Sequence, residues 1–182
     1  MDAIQLGDKT FVPYISEEKI LGAVKRVADK ISIDMAGRNP LFLVVLNGSF
    51  IFAADLVRNF SGPCEVSFVK LASYHGTSSG EVKELVGLNE DLEGRNIVIV
   101  EDIVDSGKTI EHILEQVNTQ RPESVTVASF LLKPEVFKKD FTIDYIGLEI
   151  PNDFIVGYGL DYNGLGRNLR DIYVIKEKTN IG

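Results

Sequence analysis

Residues 98–109 read V-I-V-E-D-I-V-D-S-G-K-T, an apolar run that changes abruptly into acids, small residues and hydroxyls. Asp105-Ser106-Gly107-Lys108-Thr109 supplies what an anion cradle needs. At a helix start the first backbone N–H groups have no partner in the helix and point outward, where they suit a terminal phosphate. Gly107 lets the main chain come close to such a group, and Ser106 and Thr109 offer hydroxyl donors. Glu101 and Asp102 lie just ahead and project in different directions. Adjacent carboxylates about a ribose length from a phosphate suit the 2′ and 3′ hydroxyls of a sugar, with a hard cation shared nearby. Taken alone, the segment could also be a capped helix preceded by solvated acids. The G-K-T at 107–109 invites comparison with a nucleoside-triphosphate loop, but the spacing excludes it. That loop needs a glycine five positions before Gly107, and the position holds Asp102, a carboxylate that would repel phosphate.

Positioning such a segment takes a strand before it and a helix after it, and the pattern provides both. Residues 97–100 read as a strand buried on both faces, and Ile110, Ile113, Leu114 and Val117 share one face of a following helix that Arg121-Pro122 closes. Upstream, Ile20, Ala23, Val24, Val27, Ala28 and Ile31 predict a helix from an N-cap at Ser16 to a terminator at Gly37. Residues 41–46 (L-F-L-V-V-L) form a second buried strand that stops at Asn47-Gly48-Ser49. A helix over 50–60 and a strand over 65–71 follow, then a small polar loop over 73–80. Beyond the central segment, strands are expected at 125–132, 145–149, 154–158 and 172–175. Strands alternating with helices imply an α/β fold with a mostly parallel sheet covered on both faces. Ligands in such sheets bind beyond the carboxyl ends of the strands, where the loops after Leu46 and Val100 lie.

Composition narrows the function further. A chain of 182 residues, 45% apolar and 25% charged, suits a single domain over 1–182. Its net charge of −8 disfavours nucleic acid and anionic membrane surfaces as partners. The single cysteine, Cys64, excludes an internal disulfide framework and is expected to be a small buried apolar side chain. The first ten residues have no apolar signal core and no run reaches membrane-spanning length, so a cytoplasmic location is expected.

V-E-D-I-V-D-S-G-K-T resembles the phosphoribosyl-pyrophosphate signature of type I phosphoribosyltransferases, and within them the chain is similar to the hypoxanthine-guanine phosphoribosyltransferase family from about residue 41 to 175. The resemblance implies that family's α/β fold, with a small hood subdomain built from the N-terminal region and residues 143–182. It also implies a magnesium-dependent transfer of the 5-phosphoribosyl group to N9 of hypoxanthine or guanine. Glu101, Asp102, Asp105, Ser106, Gly107, Lys108 and Thr109 would hold the phosphoribosyl group, with Asp105 as general base. Leu46, Asn47, Gly48, Ser49 and Arg167 match the pyrophosphate-binding positions, although many relatives carry lysine where this chain has Asn47. Lys133 matches the donor to the purine O6; an ammonium donates only, so it favours an oxo group over the amino group of adenine. Phe154 would stack on the base, Ile155 would read the ring edge with its backbone, and Asp161 falls at a position that serves both purine and metal. Glu101, Asp102 and Asp161 are the metal-ligand candidates, Ser73 and Tyr74 match the opening of a lid, and a homodimer or homotetramer is expected. His75 and His112 have no partner at metal or triad spacing and are expected to be bystanders. A regulatory protein that keeps the fold to sense the sugar is an alternative, weakened by the negative charge and by Asp105 and Lys133. A transferase for a pyrimidine or another base is a third, weakened by Lys133 and Phe154.

Overall fold

The computed structural model describes residues 2–73, 82–86 and 90–176. In chain order the elements are β1 (Ile4–Leu6), β2 (Lys9–Ile15), α1 (Glu17–Asp34), β3 (Leu41–Leu46), α2 (Phe50–Asn59), β4 (Glu65–Ser73) and β5 (Val82–Val86). There follow β6 (Asn96–Val104), α3 (Lys108–Thr119), β7 (Ser124–Leu132), β8 (Tyr145–Glu149), β9 (Ile155–Val156) and β10 (Ile172–Ile175).

The larger sheet has the order β5-β4-β3-β6-β7-β8. Five of its strands are parallel and β5 runs antiparallel along the β4 edge. Alternation along β3 divides the interior. Phe42 and Val44 face a cluster that α1 and α2 cover, while Leu41, Leu43 and Val45 face a second cluster with Ile110, Ile113 and Val117 of α3. Strand β6 lies between these layers with Ile97, Val98, Ile99 and Val100 all fully buried. Each such side chain contributes about 1.5–3 kcal/mol by leaving water, so the strand that ends in the acidic segment is firmly anchored in the sheet. In α1 the Ser16 hydroxyl accepts from the Lys19 N–H, Glu17 and Glu18 sit in the first turn, and the six apolar residues expected to face inward are the six buried ones. Cys64 is half-buried against the first cluster, and burial raises its thiol pKa.

A second, smaller sheet, β1-β2-β10-β9, is antiparallel throughout and encloses Phe11, Val156 and Tyr173. It ties the N-terminal strands to the last strand of the chain, with Phe11 opposite Ile175. The α/β class, the mostly parallel sheet, the helices on both faces and the small accessory sheet all match the expectation from sequence.

Helix α1 ends at Asp34, short of the terminator expected at Gly37, and three boundaries nearer the cleft also differ. Strand β6 continues past Val100 to Val104, because Glu101, Ile103 and Val104 go on pairing with Ser129, Leu131 and Leu132 of β7. Glu101 and Asp102 therefore belong to the strand and not to the loop after it. The strand expected at 154–158 shortens to Ile155–Val156, since only those two residues pair with β10. Ser73 ends β4 and does not open a loop, while Tyr74, His75 and the rest of the expected lid through 80 lie outside the described residues. No helix among the described residues is long and apolar enough to cross a membrane.

Candidate active site

The carboxyl ends of β3, β6 and β7, together with residues 152–167, converge on one side of the larger sheet. After β3 the chain turns through a cis peptide between Leu46 and Asn47. Ser49 is fully buried and its hydroxyl donates to the Val45 carbonyl, so its side chain holds the turn together and is not free for a ligand. Gly48 lies directly against the Asp102 carboxylate, in space that any Cβ would occupy, and its carbonyl closes the corresponding space at Gly159. The turn is thus pressed between β6 and residues 157–160, with the Asn47 side chain exposed beside it.

At the end of β6, Glu101 is only 7% exposed and Asp102 is half-buried. The Asp102 N–H donates to Glu101 Oε1 at 3.0 Å and the Ile103 N–H to Asp102 Oδ1 at 2.8 Å. Burial pushes the Glu101 carboxyl well above the usual range, and the neighbouring Asp102 charge adds to this. Burial also raises Asp102, against hydrogen bonds and the Arg167 guanidinium that favour its charged form. Two acids held this way need a proton or a countercharge between them.

The next turn forms the cradle. Gly107 is the N-cap of α3 with φ of 81°, and a Cβ there would come within 2.8 Å of Phe137 Cε2. Both the left-handed backbone and the close ring require glycine. No side chain caps α3, so the N–H groups of its first turn remain available to an anion. They border a small cavity of about 80 Å³ lined by Glu101 and residues 103–110.

The main cleft, about 520 Å³, adjoins it and brings together Leu46, Asn47, Gly48, Glu101, Asp102, Lys108, Thr109, Asp161 and Arg167. Arg167 Nη2 lies 2.6 Å from Asp161 Oδ1, and its Nη1 donates to the Gly159 carbonyl at 2.7 Å. Asp161 Oδ2 also accepts the Gly164 N–H at 2.6 Å, which holds this carboxylate in a tight turn. Among the described residues no three His, Cys, Asp or Glu side chains are spaced to enclose a metal. A cation here would share Glu101 or Asp102 with oxygens of a ligand and with water, which suits a small hard ion that keeps much of its hydration.

Lys133, immediately after β7, has a side chain only 10% exposed and contacts Asp105 Oδ2 at 3.4 Å. Phe154 leaves 46% of its surface open, and its ring meets Tyr162 edge-on at 5.9 Å and Phe11 at 6.2 Å. An exposed ring braced by two others offers a flat apolar platform. Ile155 is buried in β9. Lys133, Phe154 and Ile155 do not line the main cleft; Asp105 links Lys133 to the cradle.

Three apolar walls of the cleft, Val45, Leu71 and Ile103, go unnoticed in the sequence because they read as ordinary strand residues. Asn152, whose Oδ1 accepts from Lys133 Nζ at 3.2 Å, is also missed, since an Asn after Pro151 signals only a turn.

Comparison with known proteins adds the last observation. The family model for the phosphoribosyl transferase domain matches residues 15–163. The chain is similar to the hypoxanthine-guanine phosphoribosyltransferase of Streptococcus agalactiae, 42% identical over 165 residues covering 90% of this chain and 92% of that one. The Streptococcus mutans enzyme of the same name is 40% identical, over 89% and 91% of the two chains. Among solved structures, a hypoxanthine-guanine phosphoribosyltransferase from Bacillus anthracis, with a HEPES molecule in its active site, superposes with a TM-score of 0.86 at 36% identity, covering 91% of this chain and 98% of that one. The hypoxanthine phosphoribosyltransferase of Trypanosoma cruzi superposes with a TM-score of 0.85 at 36% identity, covering 95% of each chain.

Proposed function

The chain belongs to the phosphoribosyl transferase domain family, and from that premise we propose that it is a purine-salvage enzyme converting hypoxanthine or guanine and phosphoribosyl pyrophosphate into the mononucleotide and pyrophosphate. The single observation that carries this reading is the placement of Lys133 and Asp105 in contact at neighbouring strand ends, directly beside the phosphate cradle of α3.

Each group then has a task that follows from its chemistry. The N–H groups and hydroxyls of 106–109 hold the 5′-phosphate, and Glu101 and Asp102 face the ribose. Backbone groups of 46–49, with Arg167, hold pyrophosphate. Phe154 stacks on the base, Ile155 faces its edge through the main chain, Asp161 lies by the purine, and the Lys133 ammonium donates to O6. As N9 bonds to C1′ and the bond from C1′ to the pyrophosphate oxygen breaks, the base must lose its N7 proton, and Asp105 is the acceptor. The electron pair of the broken bond leaves on pyrophosphate.

Mg²⁺ fits the donor set, since Glu101 and Asp102 are hard oxygen ligands crowded enough to need a countercharge, with Asp161 the third candidate. When bound it supplies positive charge for the departing pyrophosphate. Chelation should abolish turnover and added Mg²⁺ restore it. Residues 1–182 form one domain with the second sheet as its hood, the lid begins at Tyr74 directly after the strand that Ser73 ends, and the enzyme works in the cytoplasm as a homodimer or homotetramer.

The test is a panel of hypoxanthine, guanine, xanthine and adenine, each mixed with phosphoribosyl pyrophosphate and Mg²⁺ while nucleotide formation is followed. Turnover of oxo bases with adenine excluded is the expected result. Strong turnover of adenine with none of the oxo bases would overturn the role of Lys133.

A further inference from the structure

Val104, Leu132 and Glu149 lie side by side on the adjacent parallel strands β6, β7 and β8. The ladder runs one step beyond the regular strands, with the Lys133 N–H donating to the Val104 carbonyl at 3.0 Å and the Ile150 N–H to the Leu132 carbonyl at 2.9 Å. Asp105, Lys133 and the turn after Ile150 therefore leave the sheet from one edge. The Asp153 N–H closes that turn on the Pro151 carbonyl at 2.8 Å, and Asn152 at its apex reaches the Lys133 ammonium. The Lys133 carbonyl in turn accepts from Val136 at 3.1 Å and Phe137 at 3.0 Å, so its backbone is held from both sides.

A protonated lysine has three N–H bonds in tetrahedral arrangement and no acceptor. Asp105 Oδ2 at 3.4 Å takes one and Asn152 Oδ1 at 3.2 Å takes another. One contact alone would leave the ammonium free to spin about the line to Asp105, and the four-carbon stem free to choose among rotamers. Two contacts from opposite neighbours set the direction of the third N–H. Because the facing group is an ammonium, the amide must present its oxygen, which fixes the orientation of the Asn152 side chain as well.

Resting on the reading of Lys133 as the group that recognises a 6-oxo base, we infer that Asn152 is a positioning residue for that recognition. It touches none of the reacting atoms; it holds the Lys133 ammonium so that its remaining N–H meets the exocyclic oxygen. Asn152 is exposed at the rim, so its removal leaves a solvated gap and the fold intact.

The experiment compares Asn152→Ala, Asn152→Asp, Lys133→Met and the double variant Asn152→Ala/Lys133→Met in full steady-state kinetics with hypoxanthine and phosphoribosyl pyrophosphate. Asn152→Ala should raise the KM for hypoxanthine about 10- to 15-fold, the lower end of what losing one hydrogen bond to a charged donor costs, and leave the KM for phosphoribosyl pyrophosphate within about twofold. Asn152→Asp keeps an acceptor in the same place and should restore the hypoxanthine KM to within about threefold of the parent. In the Lys133→Met background, Asn152→Ala should have no further effect, because what it positions is gone. If Lys133→Met weakens oxopurine use and Asn152→Ala does not, or if the Asn152→Ala loss persists without Lys133, the positioning role is wrong and the purine reading stands. If Lys133→Met itself leaves hypoxanthine use unchanged, the reading of Lys133 fails and takes the role of Asn152 with it.

Discussion

Asp105→Asn removes a negative charge and a proton acceptor with almost no change of shape, so it separates catalysis from architecture. The structure limits the architectural cost. The Asp105 side chain is 51% exposed and its contact with Lys133 Nζ is long, at 3.4 Å. A half-solvated pair of this kind contributes at most about 1 kcal/mol. The substituted amide can still accept from the ammonium, and Asn152 remains as a second partner at 3.2 Å. The melting temperature should therefore move by no more than about 2–4 °C, the shift that about 1 kcal/mol produces in a chain of this size. Phosphate binding should also survive, because the donors of the cradle are backbone N–H groups at the start of α3 that do not depend on the Asp105 charge. Loss of a general base is larger, on the order of 10²- to 10⁴-fold in rate, equivalent to about 2.7–5.4 kcal/mol on the barrier. Measured kcat should fall by that factor, while the KM for phosphoribosyl pyrophosphate and the Kd for the mononucleotide stay within a few-fold. Equal losses of turnover and of nucleotide affinity would show that Asp105 only positions the phosphoribosyl group, and a fall in kcat of less than about tenfold would move the base elsewhere.

Phe154→Ala should weaken base binding by about 1–3 kcal/mol, the usual worth of stacking a base on an aromatic ring, and should cost about 1–2 kcal/mol of stability through the lost ring contacts with Phe11 and Tyr162; base KM and a melting curve measure both. Gly48→Ala forces a methyl group into the Asp102 carboxylate and should cost about 1–3 kcal/mol in denaturant unfolding, with pyrophosphate product inhibition weakened by the displaced turn. Tyr145 donates to Asp34 Oδ2 at 3.1 Å, and burial followed by Asp34 pushes its pKa from 10.0 up to about 12. The folded state thus favours the neutral phenol, and the stability this brings is fully present below pH 10 and lost as pH rises toward 12. Urea midpoints at pH 9 and pH 11 should therefore fall further apart in the parent protein than in Tyr145→Phe, and equal falls in the two would contradict the assignment.

Features that depend on residues close together in the chain were readable without a structure. The apolar face of α1, the doubly buried β3 and the turn into α3 each express a local rule of periodicity, capping or glycine conformation, and the phosphate cradle is one uninterrupted segment. The resemblance carried by that segment then pointed to Lys133, Phe154 and Arg167, which no local rule distinguishes from surface or core residues. The N-terminal strands escaped notice: β1 has three residues, too few to display alternation, and exists because β2 pairs with it, while the strand expected at 154–158 keeps only the two residues of β9 that pair with β10. The extension of β6 through Glu101 and Asp102 was hidden for a related reason. Acids end an apolar run in the sequence, yet at the cleft end of a strand they can face a cavity while their backbones still pair with β7. Only the tertiary structure decided that Gly48 is pressed on Asp102, that Arg167 is joined to Asp161, and that Asn152 shares the Lys133 ammonium with Asp105. Gly48 and Asp102 are far apart along the chain, as are Lys133 and its two partners, and even Arg167 meets Asp161 through a turn. Which side chains meet there follows from strand order, register and turn geometry, which arise from packing the whole chain and leave no trace in the local pattern.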